Sequence, residues 1–199
     1  MATELTDLLD PESVTRKIFE EKGYVDISEY EATPYEIPSE ADVQIHNIVS
    51  PRRERRKLKK EINQIIKPVM EEASEKGYPP QLETALYEAI LNAHQHGNKE
   101  DPNKNITTVR NINEDNFLFS VIDEGGIIEA PFIPYLQSIK QANLKKNFVN
   151  YYDDDFSLKN QPETNIGTGT SFMHLYTDQV NYYKSKERGL VVEMKKDKQ

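Results

Sequence analysis

Glu88 and Asn92 stand four residues apart in the stretch Glu88-Ala-Ile-Leu-Asn92-Ala-His-Gln-His96-Gly97-Asn98, inside an otherwise apolar pattern. On a helix, positions i and i+4 share one face. A carboxylate there can take a proton, and a carboxamide oxygen can serve a hard cation such as Mg²⁺. Two later stretches give that face something to act on. Asp123 comes at the predicted end of a strand, followed by Glu124, Gly125 and Gly126. A carboxylate at a sheet rim accepts a hydrogen bond from an exocyclic amine, and glycines let the backbone approach a ligand closely. Gly167-Thr168-Gly169-Thr170 precedes a predicted helix, where free N–H groups and the helix dipole suit phosphate. Each piece alone is common. Their order, with helix-borne Glu and Asn, then strand-Asp-Gly, then a long gap, then Gly-x-Gly and a helix, reads as a nucleotide site. The competing structural readings are a satisfied core amide for Asn92 and a lysine pair for Glu88. The two glycine stretches favour function. His96 is expected to cap or pack at the helix end, and His46 and His94, which share no metal spacing with a carboxylate, are expected to be structural.

The elements that must position these residues follow from periodicity. Leu58, Ile62, Ile65, Ile66, Val69 and Met70 recur at helical spacing and predict a helix over 51–77. Pro79-Pro80 interrupts, and Leu82, Ala85, Leu86, Ala89, Ile90 and Ala93 predict a second helix over 81–96 with Gly97 as its stop. An approximate alternation over 42–49 predicts an edge strand, and strands over 105–111 and 117–123 form a hairpin around Asn113-Glu-Asp-Asn116. Residues 125–167 show little pattern beyond a candidate helix over 135–146, and so read as a lid. A short helix over 170–176 and strands over 179–184 and 190–195 complete the chain. Helices followed by a meander with one inserted helix indicate an α+β fold, a two-layer α/β sandwich with a mixed, mostly antiparallel sheet.

Charge divides the chain unevenly. Residues 1–44 carry 12 acidic and three basic side chains, which is the whole net charge of -9, so the other 155 residues hold 22 of each sign. We therefore divide the chain into an acidic N-terminal extension, 1–42, with a helix expected over 11–22, and a main domain, 43–199. The extension either docks on a basic partner or keeps the chain solvated. An acidic segment on a balanced body argues against direct nucleic-acid binding, which depends on phosphate neutralisation. Arg52, Arg53, Arg55, Arg56, Lys57, Lys59 and Lys60 cluster at the start of the first long helix against its dipole. They serve either a partner or the acidic extension. The absence of cysteine excludes disulfides, thiolate metal sites and cysteine nucleophiles. No apolar run reaches the ~20 residues of a membrane span and no signal peptide is evident, so a soluble, cytoplasmic protein is expected.

At this point the chain resembles the GHKL ATP-binding family, which includes gyrase, histidine kinases, heat-shock chaperone ATPases and the MutL proteins. It is most similar to the bacterial anti-sigma factor serine/threonine kinases. The resemblance covers roughly residues 43–196. The stretch from Glu88 through Asn98 looks like their N box, Val121-Ile-Asp123-Glu-Gly125 like the first glycine box, and Gly167-Thr-Gly169-Thr-Ser171 like the second. It implies a kinase that binds ATP and Mg²⁺ and phosphorylates an antagonist protein. In it Asp123 selects adenine beside Gly125 and Gly126, and Asn92 holds Mg²⁺. Gly167, Thr168, Gly169 and Thr170 cradle the phosphates, and Glu88 is the general base. It further implies a sigma factor or antagonist protein as partner, and association of two copies through the first strand and helix. The alternative is a non-catalytic, ATP-gated protein-binding module. Two departures stand out. The family's first box is Asp-x-Gly-x-Gly, whereas here the second glycine comes one position early, at Gly126. Where the family often has Gly-Thr before its last strand, this chain has Gly189-Leu190, which removes a hydroxyl that supports the aspartate. A water or Ser120 is the expected substitute.

Overall fold

The stripe Leu58, Ile62, Ile65, Ile66, Val69 and Ala73 is buried along one side of a 21-residue helix, α1 (Arg55–Glu75), as its spacing requires. These details come from a computed structural model, which describes residues 24–26, 33–129, 168–185 and 189–198. The helix expected over 11–22, the one over 135–146, most of the lid and Gly167 lie outside the described residues. A single 3₁₀ turn, Arg52–Glu54, leads into α1. Glu61 ties its start to the preceding strand by accepting from the backbone N–H of Val49 and Ser50 (3.2 and 3.1 Å) and from Ser50 Oγ (2.8 Å). At the far end Gly77 N bonds Ser74 O and Tyr78 N bonds Ala73 O, both at 2.9 Å. Together these satisfy the last carbonyls in a Schellman motif.

The second helix, α2 (Leu82–Asn92), buries Leu82, Ala85, Leu86, Ala89 and Ile90. It continues as one π-helical turn, Ala93–Gly97, in which Asn98 N reaches back five residues to Ala93 O (2.8 Å). Such widened turns recur at functional sites. Five strands form the main sheet: β2 (Asp42–Asn47), β3 (Asn105–Ile112), β4 (Asn116–Asp123), β6 (Gln179–Lys184) and β7 (Leu190–Asp197), in the order β2-β3-β4-β7-β6. All four strand pairs are antiparallel. The one parallel contact among the described residues is a single bridge, Pro34 to Lys184. Phe117, Phe119, Val121 and Met194 face α1, α2 and α3 (Thr168–Tyr176) and close the core. This is the α+β architecture expected from the sequence. No helix among the described residues is long and apolar enough to cross a membrane.

Two features differ from the expected elements. Residues at the start of the patternless stretch form a short strand, β5 (Ile127–Glu129), which pairs antiparallel with β1 (Tyr24–Asp26) from the acidic extension. Tyr35, also assigned to the extension, is buried against Val109 and Val191 on the sheet face opposite the helices. Its hydroxyl shares a 2.8 Å hydrogen bond with Ser120 Oγ, its N–H bonds Lys184 O at 2.8 Å, and Lys184 N returns to Thr33 O at 3.2 Å. Among the described residues the basic cluster ahead of α1 is not joined to this segment. Lys57 pairs with Glu54 in its own turn (2.6 Å), and Asp42 pairs with Arg110 (2.8 Å).

Candidate functional site

Three elements converge at the end of α2. Strand β4 delivers Asp123, which is 4% exposed. The π-helical turn delivers Gly97, and a Cβ on Gly97 would collide with the Asp123 carboxylate. Gly125 packs so closely on Gly97 that a Cβ there would strike the Gly97 carbonyl. Only hydrogen at these two positions lets the helix end meet the strand end. Gly126, at φ +73°, then turns the chain into β5. The second glycine of the box therefore supplies a left-handed residue one position earlier than the family pattern places it.

The carboxylate of Asp123 accepts through Oδ1 from Gly125 N (2.8 Å) and from Leu190 N (3.4 Å). Burial pushes its pKa up to about 7, against the opposing pull of those two N–H groups and of the Lys104 and Lys99 charges. At neutral pH it therefore stands between charged and neutral forms. Leu190 has no side-chain hydroxyl to offer the carboxylate and reaches it through its backbone N–H alone. Ser120 does not substitute: it lies three residues from Asp123 on the same strand. Strand alternation sends the two side chains to opposite faces, and Ser120 bonds Tyr35 instead.

A second layer holds this loop. Asn98, 1% exposed, donates Nδ2 to Asn105 O (2.9 Å) and accepts from Glu124 N through Oδ1 (2.8 Å). Glu124 returns its carboxylate to Asn105 N (2.8 Å), and Lys104 Nζ donates to Gly125 O (3.1 Å). None of these roles was assigned from the sequence. A polar residue after a helix stop looks like any loop asparagine, and backbone partners leave no pattern to read.

Glu88 and Asn92 lie two turns and one turn back from Gly97 along α2, against α3. A Cβ on Gly169 would sit 2.6 Å from Glu88 Oε2 and 3.4 Å from Asn92 Nδ2. The N-box pair and the second glycine stretch are thus in direct apposition. Burial raises the Glu88 pKa, which makes the carboxylate a better proton acceptor once ionised. Helix α3 starts at Thr168, two residues earlier than expected, so Gly169 and the buried Thr170 lie within its first turn. Gly169 thereby brings the positive dipole end of α3 beside Glu88 and Asn92. Asn92 carries a neutral amide oxygen, a ligand type that Mg²⁺ accepts. Among the described residues no cluster of three or more His, Asp or Glu forms a metal cage. His94 and His46 make structural bonds, to Ser50 O (3.0 Å) and Thr108 Oγ1 (2.9 Å).

Comparison with known proteins agrees with this arrangement. No curated protein sequence matches the chain. The family described as the histidine kinase-like ATPase domain matches residues 53–196, which is more than two thirds of the chain and spans α1, α2, the Asp123 loop, α3 and the last hairpin. The chain belongs to the histidine kinase-like ATPase domain family, whose members bind ATP.

Proposed function

We propose that the protein is an ATP- and Mg²⁺-dependent serine/threonine kinase of the anti-sigma factor type, which phosphorylates an antagonist protein. The observation that carries this reading is the apposition of Gly169, in the first turn of α3, with both Glu88 and Asn92. Glu88 and Asn92, the proposed proton acceptor and metal ligand, lie beside the helix end that would hold the phosphates. Asp123 accepts from the exocyclic amine of adenine, flanked by Gly125 and Gly126. Gly167, Thr168, Gly169 and Thr170 form the phosphate cradle. Mg²⁺ held by Asn92 would neutralise charge on the phosphates. Glu88 takes the proton of a serine or threonine hydroxyl as its oxygen bonds to the γ-phosphorus. The bond from that phosphorus to the β-phosphate oxygen breaks, and ADP leaves. The partner is an antagonist protein or a sigma factor. We further propose that two copies associate through β2 and α1, in keeping with the exposure of Val43 (44%) and Ile45 (70%) on that edge strand.

The test is incubation with labelled ATP and a candidate antagonist protein. Phosphoprotein is expected, and Glu88→Gln should abolish transfer while leaving ATP affinity near wild type. Transfer that survives the substitution removes Glu88 from the mechanism. The alternative, an ATP-gated binding module, draws on the loss of the threonine hydroxyl at Leu190. It predicts ATP-dependent partner binding with no phosphoryl transfer in any arm.

A further inference from the structure

We propose that Asn98, with Glu124, is the positioning residue through which this protein discriminates adenine from other bases. The inference rests on the reading of Asp123 as the group that meets the base. Asp123 cannot select by charge alone, because its loop is only three residues from strand end to the left-handed Gly126. The direction of the carboxylate depends on where the Asp123–Glu124 peptide is held. That peptide is held by Asn98: one side chain satisfies the Glu124 N–H with its oxygen and the Asn105 carbonyl with its amide. It thus bridges the end of β4 to the start of β3. Glu124 closes the circuit by accepting from Asn105 N. Buried hydrogen bonds with both partners fixed are directional, and losing one leaves a desolvated group behind.

The backbone beyond Asn98 shows that this position is constrained. Lys99 and Glu100 both adopt left-handed φ values, +57° and +59°. Neither is glycine, and such residues persist only where surrounding bonds over-determine them. Those bonds are Glu100 N to His94 O (2.9 Å) and Asp101 N to Asn98 O (3.1 Å). The strained turn keeps Asn98 facing inward and brings the Lys99 charge within electrostatic reach of Asp123.

The experiment measures binding of ATP, GTP and inorganic tripolyphosphate, each with Mg²⁺, to the full chain by calorimetry. Wild type should prefer ATP over GTP. Asn98→Ala should weaken ATP by about tenfold or more, the expected cost of one buried hydrogen bond. It should collapse the ATP to GTP ratio toward one and leave tripolyphosphate affinity within about twofold. A merely structural role would weaken all three ligands together, with the ratio intact, and that result overturns the proposal. Should Asn98→Ala not fold, Glu124→Ala, at a partly exposed position, provides the second arm. It should shift the same ratio in the same direction by a smaller factor, and an unchanged ratio overturns the proposal. Wild type with no preference for ATP would sink the Asp123 assignment itself. A wild-type preference that survives both substitutions sinks only Asn98.

Discussion

At the scale of single residues the informative group is Asp123, because its environment and its proposed role pull in opposite directions. Burial holds its pKa at about 7, whereas the ionised form is the stronger acceptor of a hydrogen bond from an amine. In the unfolded chain the group titrates near 3.8. Its folded pKa is therefore raised, and the stability it contributes is complete below about pH 4 and lost as pH rises to about 7. The three-unit difference corresponds to ~4 kcal/mol. Asp123→Asn keeps an oxygen for the N–H groups of Gly125 and Leu190 and removes the buried charge. Urea unfolding should show the variant gaining on wild type as pH rises from 5 to 8. A stability difference independent of pH would mean that Asp123 is well solvated. Ligand binding should report the same proton: at pH 6 ATP selects the ionised carboxylate, so binding releases up to one proton beyond that of the nucleotide. Calorimetry in buffers of differing ionisation enthalpy measures this. Glu88 differs in kind, since burial raises its pKa without a close opposing charge among the named causes.

At the scale of elements, α2 and its π-helical extension carry most of the site, presenting Glu88 and Asn92 to α3 and Gly97 to Asp123. Gly97→Ala tests whether that contact is required. Its Cβ would collide with the carboxylate of Asp123, forcing the end of β4 away. Nucleotide affinity should fall by at least about tenfold with helix content by circular dichroism unchanged, and unaltered affinity would show that the loop yields freely. This helix was legible in the sequence because six apolar residues recur at 3.6 spacing, and that frame made Glu88 and Asn92 visible as exceptions. Asp123 was legible from its place between an apolar strand and two glycines. Strands β1 and β5 were not, for three residues are too few to show a period, and the acidic surroundings of Tyr24-Val25 suggested a solvated tail. The roles of Asn98 and Glu124 escaped notice for a different reason. Their contributions are hydrogen bonds to or from the backbone, which any side chain of similar size leaves unsigned.

At the scale of the whole molecule, residues outside the family match are part of the packed structure. The match begins at Arg53, yet Tyr35 is 6% exposed on the far face of the sheet, with its ring 5.5 Å from Tyr183 and Val109 and Val191 beneath it. That face would otherwise present Val109, Ile122 and Val191 to water. The segment also touches the functional side of the molecule at two points. Tyr35 N bonds Lys184, next to the Ser185–Gly189 turn that leads to Leu190, and β1 pairs with β5 just beyond Gly126. Docking of the segment thus contributes to stability and braces both approaches to Asp123. Tyr35→Phe removes the bond to Ser120 and leaves that hydroxyl buried, so it should cost about 1–2 kcal/mol. Tyr35→Ala removes the ring as well and should cost about 3–5 kcal/mol. Equilibrium unfolding of the two variants separates these contributions. Hydrogen exchange at the Tyr35 and Lys184 amides should accelerate in Tyr35→Ala, with the Leu190 amide following. Wild-type protection at Leu190 in that variant would show that the segment covers the sheet without bracing the site.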